Sequence, residues 1–241
     1  MNLYDTHFHL DLKGNKKLAI DTININKIYT IAMTNVPSLF EKEMMENSSP
    51  YIRIALGFHP ELIHEYPEQI PLMWKKLSEA RYIGEVGLDF SDTFHQKTQL
   101  DFFTELINKC RRDKTKIISI HSRKSEQQIL DIIGNDFDFL PILHWYTGNK
   151  DILRTAIDRG FYISVNSKMV QSRKFINIID ALPKERILLE TDSPFTSTIE
   201  TQDELLKKSQ RGLAKYFNLD TESMCMILWN NFNSVLKSRI K

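Results

Sequence analysis

The chain has 241 residues, 41% of them hydrophobic and 26% charged, with a formal net charge of +1. That composition suits a folded chain with a sizeable core and excludes a disordered one, and the near-neutral charge excludes binding of nucleic acid through a global basic field. The length fits one α/β barrel and would also admit two small domains.

Short apolar runs bounded by turn residues predict eight strands, at residues 2–6, 28–33, 51–57, 82–86, 116–120, 141–143, 161–165 and 186–190. Between most of them lie segments with helical spacing, such as 96–112 (Leu100, Phe103, Leu106, Ile107, Cys110) and 152–159; the chain ends in helices at 202–216 and 221–237. Alternation of this kind predicts βαβ units in parallel pairing, and eight strands favour a single (β/α)8 barrel over residues 1–241, an open doubly wound sheet being the alternative. No linker or low-complexity stretch marks a second domain. Cys110 and Cys225 lie far apart in helix-like segments, match neither a metal knuckle nor a redox pair, and read as buried thiols in a reducing compartment. The polar start and the lack of a membrane-length apolar run make a cytoplasmic protein the expectation.

The chemistry-bearing residues fall at strand ends, where barrel enzymes gather their catalytic groups. The first strand closes in Asp5-Thr6-His7-Phe8-His9, and alternation along an extended chain points His7 and His9 the same way. The fourth runs into Gly84-Glu85-Val86-Gly87-Leu88-Asp89, setting a carboxylate in an apolar strand, where it needs a cation or an internal ion pair. The fifth, sixth and eighth end in His121-Ser122-Arg123, His144-Trp145-Tyr146 and Glu190-Thr191-Asp192-Ser193-Pro194. His7, His9, Glu85, His121, His144 and Asp192 together exceed what one cation needs, and a carboxylate can bridge two; the set suits hydrolysis by a water made acidic at a metal centre.

The motifs DTHFHLD, GFHPE, GEVGLD, HSR, LHWYTG, GFYISV and LLETDSPF follow one another as in TatD-type deoxyribonucleases of the amidohydrolase-like barrel superfamily, and the chain resembles that family over nearly its whole length. Within it, the short length and the strings SIHSR and LHWYTG are most similar to the TatD component of Qat anti-phage defence systems. The resemblance implies two divalent metal ions (Mg, Mn or Zn). His7, His9, Glu85 and Asp192 would hold one, and Glu85, His121 and His144 the other. Glu85 and Asp192 would be catalytic, Glu85 as the bridge and Asp192 orienting or deprotonating the attacking water. Asp5 and Asp11 would stand behind the histidines and fix their tautomers, with capping of the following turn as the alternative for Asp11.

Arg123, a fixed fork suited to phosphate, is the expected anion contact. His59 would bind a phosphate oxygen or be a satisfied structural histidine, and Trp145 and Tyr146 would stack a base or pack as an aromatic wall. Lys168 and Arg173 follow the seventh strand, where barrels often bind phosphate, but read first as an exposed loop, and His64 and His95 read as surface residues. Two departures remove positive charge from the rim: Glu61 stands where many members have a histidine, and residues 195–202 contain no Lys or Arg. The resemblance thus implies a DNA phosphodiesterase acting on single-stranded or frayed 3′ ends in anti-phage defence, with an ATPase and a QueC-like protein as partners and no membrane. The alternatives are a small-molecule or aminoacyl-tRNA amidohydrolase or esterase on the same centre, and a largely non-catalytic barrel subunit of a defence complex.

Overall fold

Eight parallel strands alternate with helices, as the spacing predicts, in a computed structural model that describes residues 3–91 and 93–237; Asn2, in the first predicted strand, lies outside them. The strands are β1 (Tyr4–Phe8), β2 (Tyr29–Ala32), β3 (Ile52–Ile54), β4 (Tyr82–Asp89), β5 (Ile117–Arg123), β6 (Leu140–His144), β7 (Tyr162–Val165) and β8 (Ile187–Leu189). The helices are α1 (Lys16–Asn26), α2 (Pro37–Glu46), α3 (Ile70–Lys76), α4 (Gln96–Cys110), α5 (Glu126–Ile133), α6 (Lys150–Asp158), α7 (Arg173–Ile176), α8 (Gln202–Tyr216) and α9 (Thr221–Lys237).

The ladders β1-β2-β3 and β4-β5-β6-β7-β8 are joined at two seams. At the first, Leu56 bridges Ile83, and Phe58 N–H donates to Glu85 O at 3.0 Å. At the second, Asp192 N–H donates to His7 O at 2.9 Å and His9 N–H to Ser193 O at 3.1 Å. Both seams pass through residues of the predicted site, so closing the ring also brings the site together. Backbones approach so closely at the first seam that a Cβ on Gly57 would lie 1.7 Å from Thr34 O.

Local chemistry sets the boundaries. Helix α6 begins at Lys150, two residues before the expected start, because Asn149 Oδ1 accepts from the N–H groups of Asp151 and Ile152. A capping box of Thr201 and Glu204 opens α8. Along α4, Phe102, Phe103, Leu106, Ile107 and Cys110 form the buried stripe. Strands β4 and β5 run three residues past their predicted ends, in register Gly87 with His121 and Asp89 with Arg123, whereas β3 covers only three residues of the predicted seven. Helix α9 packs on the sheet through Trp229 and Phe232, the latter stacked on Tyr4 at 4.1 Å. Among the described residues no helix is long and apolar enough to cross a membrane.

Candidate metal centre

Six side chains from five strand ends converge on the carboxylate of Glu85. Its Oε2 lies 3.5 Å from His7 Nε2 and 3.3 Å from His9 Nε2, and the two imidazole nitrogens are 3.2 Å apart. Asp192 Oδ1 lies 3.6 and 3.3 Å from the same two nitrogens. The other carboxylate oxygen, Oε1, accepts from His121 Nδ1 at 2.6 Å and from His144 Nε2 at 2.7 Å, with His59 Nε2 at 3.6 Å. Glu85 therefore divides its two oxygens between two groups of imidazoles. Side chains from opposite parts of the barrel meet here: His7 stacks on His144 at 4.0 Å, and its Nδ1 is 2.8 Å from Ser119 Oγ on β5.

Burial and charge shape the titration of these groups. Burial, reinforced by His144, lowers His7 to a pKa of about 4. Burial also opposes charge on His9 and His121, but Asp192 and Glu85 hold His9 up to about 10, and Asp89 and Glu85 hold His121 up to about 10. Burial would raise Glu85, yet the surrounding imidazoles keep it well below the usual carboxylate range. The charge belongs to the cluster as a whole: a buried anion with cationic rings pressed against it, at sites where a bound divalent ion would supply the positive charge instead.

The donor set fits a metal. Spacings of 3.2 to 3.6 Å among His7, His9, Glu85 and Asp192 are those of donors around one cation with bonds of about 2.1 Å. Asp192 Oδ1 and His144 Nδ1 are buried without a hydrogen-bond partner, a costly state unless an ion or another group completes them. His7, His9 and Glu85 form one cluster able to hold an ion; His59, Glu85 and His121 form another, and His7, His144 and Glu190 a third. Nitrogen and oxygen donors in this mixture suit Zn or Mn and admit Mg.

The remaining predicted residues fall around this centre. Arg123, His59 and Trp145 line a cavity of about 720 Å³ above Glu85, together with Leu12, Glu61 and Phe195. Arg123 is exposed at its rim, and His59, half-buried, accepts from Glu61 N–H at Nδ1. Asp11 Oδ1 stands 4.0 Å behind His9 Nδ1, with Asn35 bonded to its other oxygen. Asp5 corrects its expected role. Its oxygens accept from His7 N–H, Thr191 N–H and Oγ1, and Gln202 Nε2, so it ties the β1 and β8 backbones to α8 and fixes no imidazole; Ser119 contacts the His7 ring in its place. Tyr146 is buried and donates to Asn149 O, which makes it packing. Arg173 opens α7 and is not among the residues lining the cavity. His64 and His95 stack on each other at 3.7 Å, and both thiols are buried.

Three contributors lay outside the sequence expectation. Asp89 accepts from His121 Nε2 at 2.8 Å. Glu190, fully buried and pushed up to about 8 by that burial, accepts from Trp145 N–H at 3.1 Å and from Asn166 Nδ2 at 2.9 Å. Asn35 reaches Asp11 and His9. The alternation Glu85, Gly87, Asp89 on one strand face was the available signal for Asp89.

A closed parallel α/β barrel with such a donor set at its strand ends defines a metal-dependent hydrolase. The chain belongs to the TatD related DNase family, whose sequence model matches residues 4–237. It is 30% identical over 260 residues to an uncharacterized metal-dependent hydrolase of Buchnera aphidicola subsp. Baizongia pistaciae, covering 96% of this chain and 95% of that one. It is 25% identical over 170 residues to a Salmonella typhimurium protein named 3′-5′ ssDNA/RNA exonuclease TatD, covering 67% and 65% of the two chains. The fold is that of the TatD homologue YjjV from Escherichia coli K12, with a TM-score of 0.78 at 18% identity over 98% of both chains.

Proposed function

We propose that the protein is a phosphodiesterase that removes nucleotides from single-stranded or frayed 3′ ends of DNA, with two divalent ions held by His7, His9, Glu85 and Asp192 and by Glu85, His121 and His144. The division of Glu85's two oxygens between two imidazole groups carries this reading. Such a centre supplies Lewis acidity and lowers the pKa of a water. The chain's own residues do the rest. Glu85 keeps the two donor groups in one fixed relation. Asp192, held in a left-handed backbone (φ 50°) by its bond to His7 O, carries its unpartnered Oδ1 toward His7 and His9 and accepts the proton of the attacking water. Arg123 takes the phosphate at the rim, and His59, its Nδ1 already accepting, donates to a phosphate oxygen from Nε2. A cavity recessed at a barrel mouth receives a chain end without distorting a duplex, and the name of the Salmonella relative agrees in polarity and substrate.

The test is cleavage of 3′-labelled and 5′-labelled DNA oligonucleotides with Mg, Mn or Zn supplied after chelation, comparing wild type with Glu85→Ala. Metal-dependent shortening from the 3′ end, lost in the variant, is expected. Bound cations without cleavage would transfer the reading to a small-molecule or aminoacyl-tRNA amidohydrolase or esterase, of which the scarcity of cationic groups lining the cavity favours the small-molecule one. The anti-phage setting, with an ATPase and a QueC-like partner, rests on the strings SIHSR and LHWYTG; neighbouring genes encoding neither would sink that part alone.

A further inference from the structure

Trp145 is held in a left-handed backbone, φ 39°, a region that bulky side chains avoid. Trp145 packs against the core with part of its surface, while the fully buried place beside it is taken by Tyr146, whose hydroxyl is bonded to Asn149 O with Gly148 making room. The unusual backbone aims the indole at the cavity over Glu85, where it is half-buried.

The same buried carboxylate that fixes Trp145 also fixes its surroundings. Glu190 Oε1 accepts from Trp145 N–H and from Asn166 Nδ2, and Asn166 Oδ1 in turn accepts from Lys168 N–H at 3.1 Å and Met169 N–H at 3.0 Å. The turn so formed places Lys168 Nζ 6.0 Å from the centroid of the Trp145 ring and 3.0 Å from Phe195 O. One lysine therefore links the segments that follow β6, β7 and β8. Phe195 is 55% exposed yet braced edge-on against His9 at 5.3 Å, and Leu12, 43% exposed, lines the same cavity.

We propose that Trp145, Lys168 and Phe195 form a preorganised wall that receives the base of the terminal nucleotide, so that the enzyme selects chain ends that carry a base. The identity of the ligand rests on the nuclease reading above; the wall itself does not. An indole with an ammonium over its ring and an exposed phenyl ring beside it match a flat heterocycle bearing carbonyl or ring-nitrogen acceptors, and stacking of this kind tolerates all four bases. Glu61 on the rim repels anions, which leaves Arg123 as the cavity's arginine for the phosphate.

The experiment is calorimetric titration of the protein, divalent metal supplied, with deoxyadenosine monophosphate and with 2-deoxyribose 5-phosphate, which share the phosphate and sugar and differ in the base. Wild type is expected to bind the nucleotide about tenfold more tightly; Trp145→Ala should bring the two affinities within about twofold, and Trp145→Phe should keep most of the difference. Equal affinities in wild type, or an unchanged ratio in Trp145→Ala, would overturn the proposal. Should Trp145→Ala fail to fold, Lys168→Met and Phe195→Ala, both at exposed positions, are expected to reduce the ratio, and a ratio unaltered in both overturns it equally. Binding is read without turnover. A preserved ratio without DNA cleavage would therefore sink the nuclease reading alone, and cleavage without a ratio would sink the wall alone.

Discussion

Asp89 accepts from Nε2 of His121 at 2.8 Å, which turns the ring's other nitrogen, Nδ1, toward Glu85. The two residues are brought together by the parallel register of β4 and β5, which pairs Gly87 with His121. A carboxylate behind a ligating imidazole fixes its orientation and raises its basicity, and loss of such a partner costs roughly 10- to 100-fold in metal affinity. Asp89→Ala is expected to show that loss in competition with a chromophoric chelator. An affinity equal to wild type would mean that His121 does not hold the ion.

Removing the metal should lower stability, because an ion that binds only the folded chain stabilises it by mass action. At a thousandfold excess over Kd this amounts to about 4 kcal/mol, and for a chain of this size each kcal/mol moves Tm by about 2–4 °C. Exhaustive chelation is therefore expected to lower Tm by roughly 8 to 16 °C, with recovery on adding back one metal. A melting curve indifferent to chelator would contradict a metal held by the clustered imidazoles.

Sequence and structure agree where one strong local signal decides the outcome. Apolar runs between turn residues marked all eight strands, and the alternation of His7 with His9 placed both rings on one side. Asp5 shows where the signal ends: it shares the parity of His7 and His9, but its partners, Thr191 and Gln202, lie almost two hundred residues away and are brought to it only by barrel closure. Glu190 was hidden for a similar reason, since its role depends on Trp145 N–H and Asn166 from two other strand ends. The short β3 follows from the first seam, where Leu56 leaves the β2–β3 ladder to bridge Ile83.

That seam has its own test. A Cβ on Gly57 would lie 1.7 Å from Thr34 O and 2.5 Å from Gly84 O, both backbone atoms that cannot swing away. Gly57→Ala must push the segment after β3 away from Thr34, beyond the end of β2, and from Gly84 in β4, next to Glu85, and overpacking of this severity costs more than about 3 kcal/mol. Urea denaturation should show a lower midpoint, and the variant should lose metal affinity as the seam opens. A midpoint unchanged from wild type would mean that the strands do not meet at this distance.

Cys110 gives a pH dependence remote from the metal. Burial pushes its thiol from 9.0 up to about 12. The folded chain therefore keeps a proton that the unfolded chain has lost, so this contribution to stability is fully present below pH 9 and disappears as pH rises toward 12. Over that window it falls by about 1.4 kcal/mol per pH unit. Since the thiolate is the reactive form, native protein at pH 8 should resist a thiol reagent at Cys110 and release the thiol only on unfolding. The matching measurement is the change in urea midpoint between pH 9 and pH 10 for wild type and Cys110→Ala. Lysines and tyrosines titrate equally in both proteins, so wild type should lose about 1 kcal/mol more than the variant. Identical losses would mean that the thiol is not held protonated by the fold.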